Sequence, residues 1–371
     1  MGPNIVRIDL PALVHNLGQI RDLVGLGRKI MGVVKADAYG HGLLPVSRTL
    51  EKSGVDSLGV AFLHEGLKLR AEGIGAPIVI LCGIRTREEC RAAVEKGLTP
   101  VLFDLSVAQT LAEESARADK QTPIHLKVDT GMGRLGISSE ELGSFIERVK
   151  TFKNLRLEAL ISHLSSADKR VSAFTKTQAR AFQEMVETGA AQEPCLCLNN
   201  LANSAGIMGH PETFFDMVRP GIMLYGGRPS PELISPVPLR PVMHFKGQVL
   251  QTRTLPANTP VSYGRIYYTR CPQRIAVLSA GYGDGLARSM SNLGYVLIRG
   301  RKTPIIGTIC MNLTICDITG CGDVTPGDEA VFLGTQGTET IEGDDIARWA
   351  GTVSYEVFCS IGQRNKREYV T

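Results

Sequence analysis

The chain lacks an excess of charge. Its 41 Lys and Arg residues stand against 37 Asp and Glu, a formal charge of +4 over 371 residues. That argues against a dedicated nucleic-acid binder and leaves room for a local basic pocket around a small anion. It also lacks a long apolar run. Stretches such as Pro77 to Ile84 are far too short to span a bilayer, so no membrane partner is expected. Residues 1 to 20 carry no secretory pattern, because Asp9 and Pro11 interrupt any apolar core. No CxxC pair is present among the nine cysteines at positions 82, 90, 195, 197, 271, 310, 316, 321 and 359. An odd, unpatterned set fits free thiols in a reducing cytoplasm better than a disulfide framework, and no metal site is expected. Low-complexity tracts are absent too, and with 43% hydrophobic and 21% charged residues the chain is globular.

What is there is a repeating theme. Over residues 1–240 a short apolar, β-branched run ends in polar or Gly residues and is followed by an amphipathic helical stretch. The runs are Lys29–Val34, Ser57–Phe62, Ile78–Gly83, Thr99–Phe103, Ile124–Val128, Leu157–His163, Cys195–Asn199 and Met217–Arg219. Continuous apolar runs indicate parallel strands buried on both faces. Leu13, Leu17, Ile20 and Val24 lie at helical spacing behind Pro11. Eight β/α units in about 220 residues predict a (β/α)8 barrel. Ile5–Ile8 is a further strand (about residues 4–9), assigned outside the barrel and free to pair with the C-terminal domain. After the proline-rich junction Pro236-Val-Pro-Leu-Arg-Pro241 the runs Phe245–Leu255, Arg274–Ser279, Tyr295–Arg299, Pro304–Thr308 and Ala330–Leu333 crowd together, with one helix at Asp344–Ala350. Residues 241–371 therefore read as a mostly β domain, and the fold class as α/β plus β.

Barrel chemistry sits at the C-terminal ends of the strands. There the chain places Lys35 and Tyr39, Lys127 and Arg134, His163, Asn203 and Ser204, and Arg219, Gly221 and Ile222. A lysine directly after an apolar strand is partly desolvated and a candidate Schiff-base nucleophile. A Ser hydroxyl and free N–H groups after the seventh and eighth strands suit a phosphate. Schiff-base lysine plus phosphate cradle is the requirement of pyridoxal phosphate, PLP. His125, in mid-strand, reads as core, and Tyr268 as packing. In the second domain Ser262-Tyr-Gly-Arg265 and Gly281-Tyr-Gly-Asp-Gly285 are turns that push Tyr263 and Tyr282 outward, while Tyr355 is uninformative alone.

The stretches Val34-Lys-Ala-Asp-Ala-Tyr-Gly-His-Gly42, Lys127-Val-Asp-Thr-Gly-Met-Gly-Arg-Leu-Gly136, Ser162-His-Leu-Ser-Ser-Ala-Asp168, Ala202-Asn-Ser-Ala205, Val218-Arg-Pro-Gly221, Ser262-Tyr-Gly-Arg265, Gly281-Tyr-Gly-Asp-Gly285, Cys310-Met311 and Ser354-Tyr-Glu356 together resemble the PLP-dependent, barrel-type alanine racemases along nearly the whole chain. The resemblance implies interconversion of L- and D-alanine, with D-alanine supplied to peptidoglycan. It implies that Lys35 holds PLP and that Lys35 and Tyr263 are opposed bases, for the D- and L-isomer protons. In the family the tyrosine comes from the partner subunit, so a head-to-tail homodimer is implied. Arg219 would face the pyridine nitrogen. Tyr39, Ser204, Gly221, Ile222 and Tyr355 would bind the phosphate, with His163 and Asn203 alongside. Arg134 and the Met311 N–H would receive the substrate carboxylate, and Lys127 is carbamylated in many relatives. An arginine at the ring nitrogen keeps the pyridine neutral and the electron sink weak. A phenol titrates near pH 10 and is a weak base at neutrality. It needs a cation nearby, and His163 and Arg219 are the candidates.

Two positions depart from the family. Gly307-Thr-Ile-Cys-Met-Asn312 stands where Gly-Arg-x-Cys-Met-Asp is usual. The lost charges are read as lying on the substrate's route with Asp168 nearby, which implies altered access or looser substrate choice. Lys366, where proline is common, is expected to be neutral. The rival readings are a broader serine/alanine racemase, a non-catalytic PLP-binding barrel, a PLP decarboxylase and a sugar-phosphate enzyme. The second domain and Arg219 weigh against the last three.

Overall fold

A computed structural model describes residues 2–193, 196–230, 232–233 and 236–371. The chain opens with β1 (Ile5–Asp9). Asp9 then accepts the Ala12 N–H at 2.8 Å and caps the helix Leu10–Val24, which buries Leu13, Leu17, Ile20 and Val24. Seven parallel strands follow: β2 (Lys29–Val33), β3 (Ser57–Val60), β4 (Ile78–Ile80), β5 (Thr99–Leu102), β6 (Thr122–Lys127), β7 (Leu155–Ile161) and β8 (Met217–Val218). Their order in the sheet is β7-β6-β5-β4-β3-β2-β8. Every residue of β3, β4 and β5 is buried, because helices cover the outside and side chains fill the inside. Met31, Val79, Val101, Ile161 and Met217 form a separate apolar plug from five of these strands. Each side chain so buried contributes about 1.5–3 kcal/mol.

The expected run Cys195–Asn199 forms no regular strand; Cys195 itself lies outside the described residues. The segment after it still closes the ring. Cys197 N donates to the Glu158 carbonyl at 3.1 Å, Asn200 N to Leu160 O at 3.0 Å, and Met217 N to Asn199 O at 3.2 Å. Its ladder is irregular because a side chain replaces the backbone in it: the Asn199 Oδ1 takes the Leu160 N–H at 2.9 Å.

The rest is β9 (Met243–Leu255), β10 (Gln273–Leu278), β11 (Tyr295–Ile298), β12 (Arg301–Pro304), β13 (Thr314–Asp317), β14 (Glu329–Gln336), β15 (Glu339–Ile341) and β16 (Arg367–Val370). The main path of this sheet is β12-β11-β14-β9-β1-β16. β1 pairs antiparallel with β9 (Val6 opposite Phe245) and parallel with β16 (Val6 opposite Arg367). The strand expected at Pro304–Thr308 is displaced to Arg301–Pro304, where three of four residues are exposed and no apolar run marks them. A second helix, Ser354–Arg364, was not expected. Among the described residues no helix is long and apolar enough to cross a membrane.

Candidate active site

At the C-terminal ends of the barrel strands lies a cavity of about 300 Å³, lined by Lys35, Tyr39, Lys127, Arg134, His163, Asn203, Ser204, Arg219, Gly221, Ile222 and Tyr355. Val33, Leu81, Cys82, Leu135 and Ile161 complete the wall. These five were not singled out from the sequence. Val33 and Ile161 end β2 and β7, and Leu81 and Cys82 directly follow β4, so strand-end position was the available signal.

Lys35 is followed by an unusual turn. Ala36, Asp37, Ala38 and Tyr39 have φ of 54°, 56°, 54° and 54°. Four consecutive non-glycine residues are left-handed, at about 1–2 kcal/mol each. The turn is held by Ala38 N to Val34 O at 2.8 Å, Gly40 N to Ala36 O at 3.1 Å and Gly42 N to Asp37 O at 2.9 Å. The buried Glu65 carboxylate takes the Ala36 N–H at 2.7 Å.

The opposite wall is a polar cradle. Asn203 caps the helix Ser204–Gly209, its Oδ1 accepting Gly206 N at 3.0 Å. That frees the Ser204 hydroxyl oxygen, which accepts Gly221 N at 2.9 Å and Met223 N at 3.4 Å. A Cβ on Gly221 would collide with the Tyr39 hydroxyl, so glycine is required for the phenol to come this close. The Tyr39 ring lies 5.8 Å from that of Tyr355 and 4.9 Å from that of Tyr225. Burial raises both Tyr39 and Tyr355 above the usual phenol range, so both are neutral donors.

Arg219 is 4% exposed. It donates to Asn200 O at 2.9 Å, Ser162 O at 2.6 Å, Leu201 O at 3.2 Å and the Asn200 amide oxygen, and it lies 3.3 Å from His163 Nδ1. Among the described residues no carboxylate pairs with it. Burial lowers its pKa to about 9, which still leaves it charged at neutrality. Lys127 is buried nearby, and desolvation with Arg219 and Arg134 lowers it to about 7. Desolvation and these cations hold His163 well below the usual imidazole range. His163 is therefore neutral, and its candidacy as a cationic helper for a phenol is withdrawn. His125 is buried with its Nδ1 unpartnered, as a core residue.

Tyr263 and Met311 do not line this cavity. They are 70% and 58% exposed. Ser262 (φ 63°), Gly264 (φ 70°) and Arg265 (φ 49°) bend the chain around Tyr263. Two contacts hold the bend: Ser262 Oγ donates to Thr308 O at 2.5 Å, and Thr308 Oγ1 donates to Tyr263 O at 2.7 Å. Thr308 is buried beneath this loop. Asn312 donates to Asp284 at 3.2 Å, while Asp168 acts on Tyr355 at the barrel mouth. Tyr268 is half exposed rather than packed, because it edges the same loop opposite Pro260.

The chain matches the family of the alanine racemase N-terminal domain over residues 8–229 and that of the C-terminal domain over residues 242–369. It is 40% identical over 369 residues to the alanine racemase of Syntrophobacter fumaroxidans, covering 100% of this chain and 98% of that one. The chain belongs to the alanine racemase family. The alanine racemase of Halothermothrix orenii is also 40% identical, over 99% of this chain and 97% of its own. Among solved structures, alanine racemase from the D-cycloserine producer Streptomyces lavendulae superposes with a TM-score of 0.92 at 31% identity, covering 100% and 98% of the two chains. That of Bartonella henselae, described with covalently bound pyridoxal phosphate, gives 0.89 at 31% identity over 100% of both.

Alanine racemases are PLP-dependent isomerases, and the cavity fits that cofactor. Its wall offers a primary amine in Lys35, neutral phenols and a hydroxyl about a glycine with no room for a Cβ, and a buried arginine without a carboxylate. A cation so buried calls for an electron-rich neighbour.

Proposed function

We propose that this chain interconverts L- and D-alanine, with the D-isomer serving peptidoglycan synthesis in the cytoplasm. The observation that carries the reading is the convergence of Lys35, Ser204 and Arg219 on one cavity in a chain of this family. When bound, PLP supplies an electron sink that acidifies the Cα–H of the amino acid attached to it. Lys35 would hold the cofactor. Tyr39, Ser204, Asn203, Tyr355 and the backbone at Gly221 and Ile222 would bind its phosphate. Arg219 would donate to the ring nitrogen, with His163 beside it. Arg134 and the Met311 N–H would hold the substrate carboxylate. A lysine with pKa about 7, as at Lys127, is partly unprotonated. It can take CO₂ as a carbamate with loss of one proton, and the resulting single negative charge would offset part of the positive charge of Arg134 and Arg219.

Racemisation takes a proton from one face of Cα and returns one to the other, so one base is not enough. Lys35 would serve the D-isomer's face. Tyr263 is solvent-exposed and outside its own chain's cavity, so the second base would be Tyr263 of the partner subunit, in a head-to-tail homodimer. We place the division between the two domains near residue 240. Proton NMR of L-alanine in heavy water with PLP-loaded protein, with a chiral assay on the same tube, tests the reading. Loss of the α-proton with D-alanine appearing is expected. Exchange with full retention of configuration would remove Tyr263 as the opposing base, and no exchange would remove the activity.

A further inference from the structure

The left-handed turn after Lys35 has two clamps that do not touch the cavity. One is Glu65, whose other oxygen accepts Ala61 N at 2.8 Å and so ties the turn to the end of β3. The other comes from the far end of the chain. Arg367, the first residue of β16, ion-pairs with Asp37 and donates to the Gly40 carbonyl at 2.9 Å. Asp37 in turn accepts Leu43 N at 2.7 Å. One guanidinium thus holds both the middle of the turn and its exit. The fit around it is tight. A Cβ on Gly40 would strike the Phe358 carbonyl, one on Gly362 the Gly40 carbonyl, and one on Gly42 the Tyr369 hydroxyl.

Four left-handed non-glycine residues do not stay so unaided, and strain of this kind persists only where its surroundings over-determine it. Relaxation toward ordinary φ would rotate the peptide planes directly after Lys35 and swing its amine. We propose that Arg367 is a positioning residue for Lys35: by gripping Asp37 and Gly40 from the C-terminal sheet, it keeps the strained turn wound and the amine at the cavity. The inference rests on the reading that Lys35 holds the cofactor. It extends that reading by making cofactor capture depend on a strand of the other sheet. An isolated ion pair this exposed is worth little. The grip matters because one nitrogen, Nη1, reaches two acceptors at once, and β16 is itself fixed in register against β1.

The test is titration of PLP-free protein with PLP, followed by the visible absorbance of the lysine-bound cofactor, alongside thermal unfolding of the same PLP-free samples. Arg367→Met, which keeps the apolar stem, should weaken PLP binding about tenfold or more with the unfolding midpoint unchanged. Arg367→Lys should recover most of that loss. Wild-type affinity in Arg367→Met would overturn the proposal, as would a loss that only tracks a lowered midpoint. If Arg367→Met does not fold, Asp37→Ala removes one of the two acceptors of the grip. The same tenfold loss is expected there, and wild-type affinity would overturn the proposal. Lys35→Ala in the same titration separates the two ideas. If it keeps the wild-type band, the cofactor reading fails; if it loses the band while Arg367→Met keeps it, only the positioning role fails.

Discussion

The mouth of the barrel gathers its polar groups into one cavity, whereas the loop bearing Tyr263 presents its phenol to solvent. Each is strained, the first by four left-handed residues after Lys35 and the second by Ser262, Gly264 and Arg265 around Tyr263. Strain in the barrel turn serves a cavity in the same chain. Strain in the tyrosine loop serves nothing within reach of it. On the proposed reading a residue held outward in this way serves the cavity of the partner subunit. On the same reading the barrel holds the cofactor by itself, and the second domain supplies its base to another chain.

The largest expected effect is that of Lys35→Ala. It should abolish the visible cofactor band and slow racemisation by about 10³-fold or more, read by absorbance and by chiral chromatography. Tyr263→Phe should cost about 10²–10⁴-fold in rate while PLP affinity stays at the wild-type value. A loss of PLP affinity in Tyr263→Phe alongside the loss of rate would erase the contrast between the two regions.

Lys127 sharpens the barrel side. Its folded pKa of about 7 lies below the ordinary 10.5, so the unfolded chain binds the extra proton between those values. Stability should therefore rise with pH from about 7 toward 10, by at most about 1.4 kcal/mol per pH unit. It gains nothing from this group below pH 7. Urea unfolding in CO₂-free buffer at pH 7 and 9 measures the slope, and Lys127→Met should flatten it. The smallest effect is at Thr308. Thr308→Val removes the hydroxyl bond to the Tyr263 carbonyl and should cost about 1 kcal/mol. That corresponds to about a fivefold fall in turnover, with cofactor binding untouched; Thr308→Ser should restore it. A changed PLP affinity in Thr308→Val would mean that the two regions are coupled within one chain.

The barrel was legible because buried parallel strands are written as apolar runs, and β2 to β6 stand where those runs stand. The seventh position was harder, since Asn199 satisfies part of its ladder with a side chain. β12 was missed because it is polar and exposed. The helix Ser354–Arg364 was missed because Cys359, Ser360 and Gly362 are weak helix formers, and its place is decided by packing of Gly362 against Gly40. Strand-end logic found the residues of the cavity that carry charge or hydroxyls, and passed over Cys82 and Leu135. The left-handed turn left no trace: Ala36-Asp-Ala-Tyr39 carries no glycine, and its conformation is imposed by Glu65 and Arg367, the latter 330 residues away. The neutrality of His163 was equally hidden, because it depends on burial and on two other segments supplying Arg219, and Lys127 with Arg134.

The central claim is that the two halves of one site come from two chains. Co-expression of Lys35→Ala with Tyr263→Phe tests it most directly, because each variant alone lacks one base in every site. A mixed dimer would carry one site with both residues intact. Random pairing should then restore about a quarter of the wild-type racemase activity per subunit. Activity no higher than the sum of the two variants purified separately would contradict the claim.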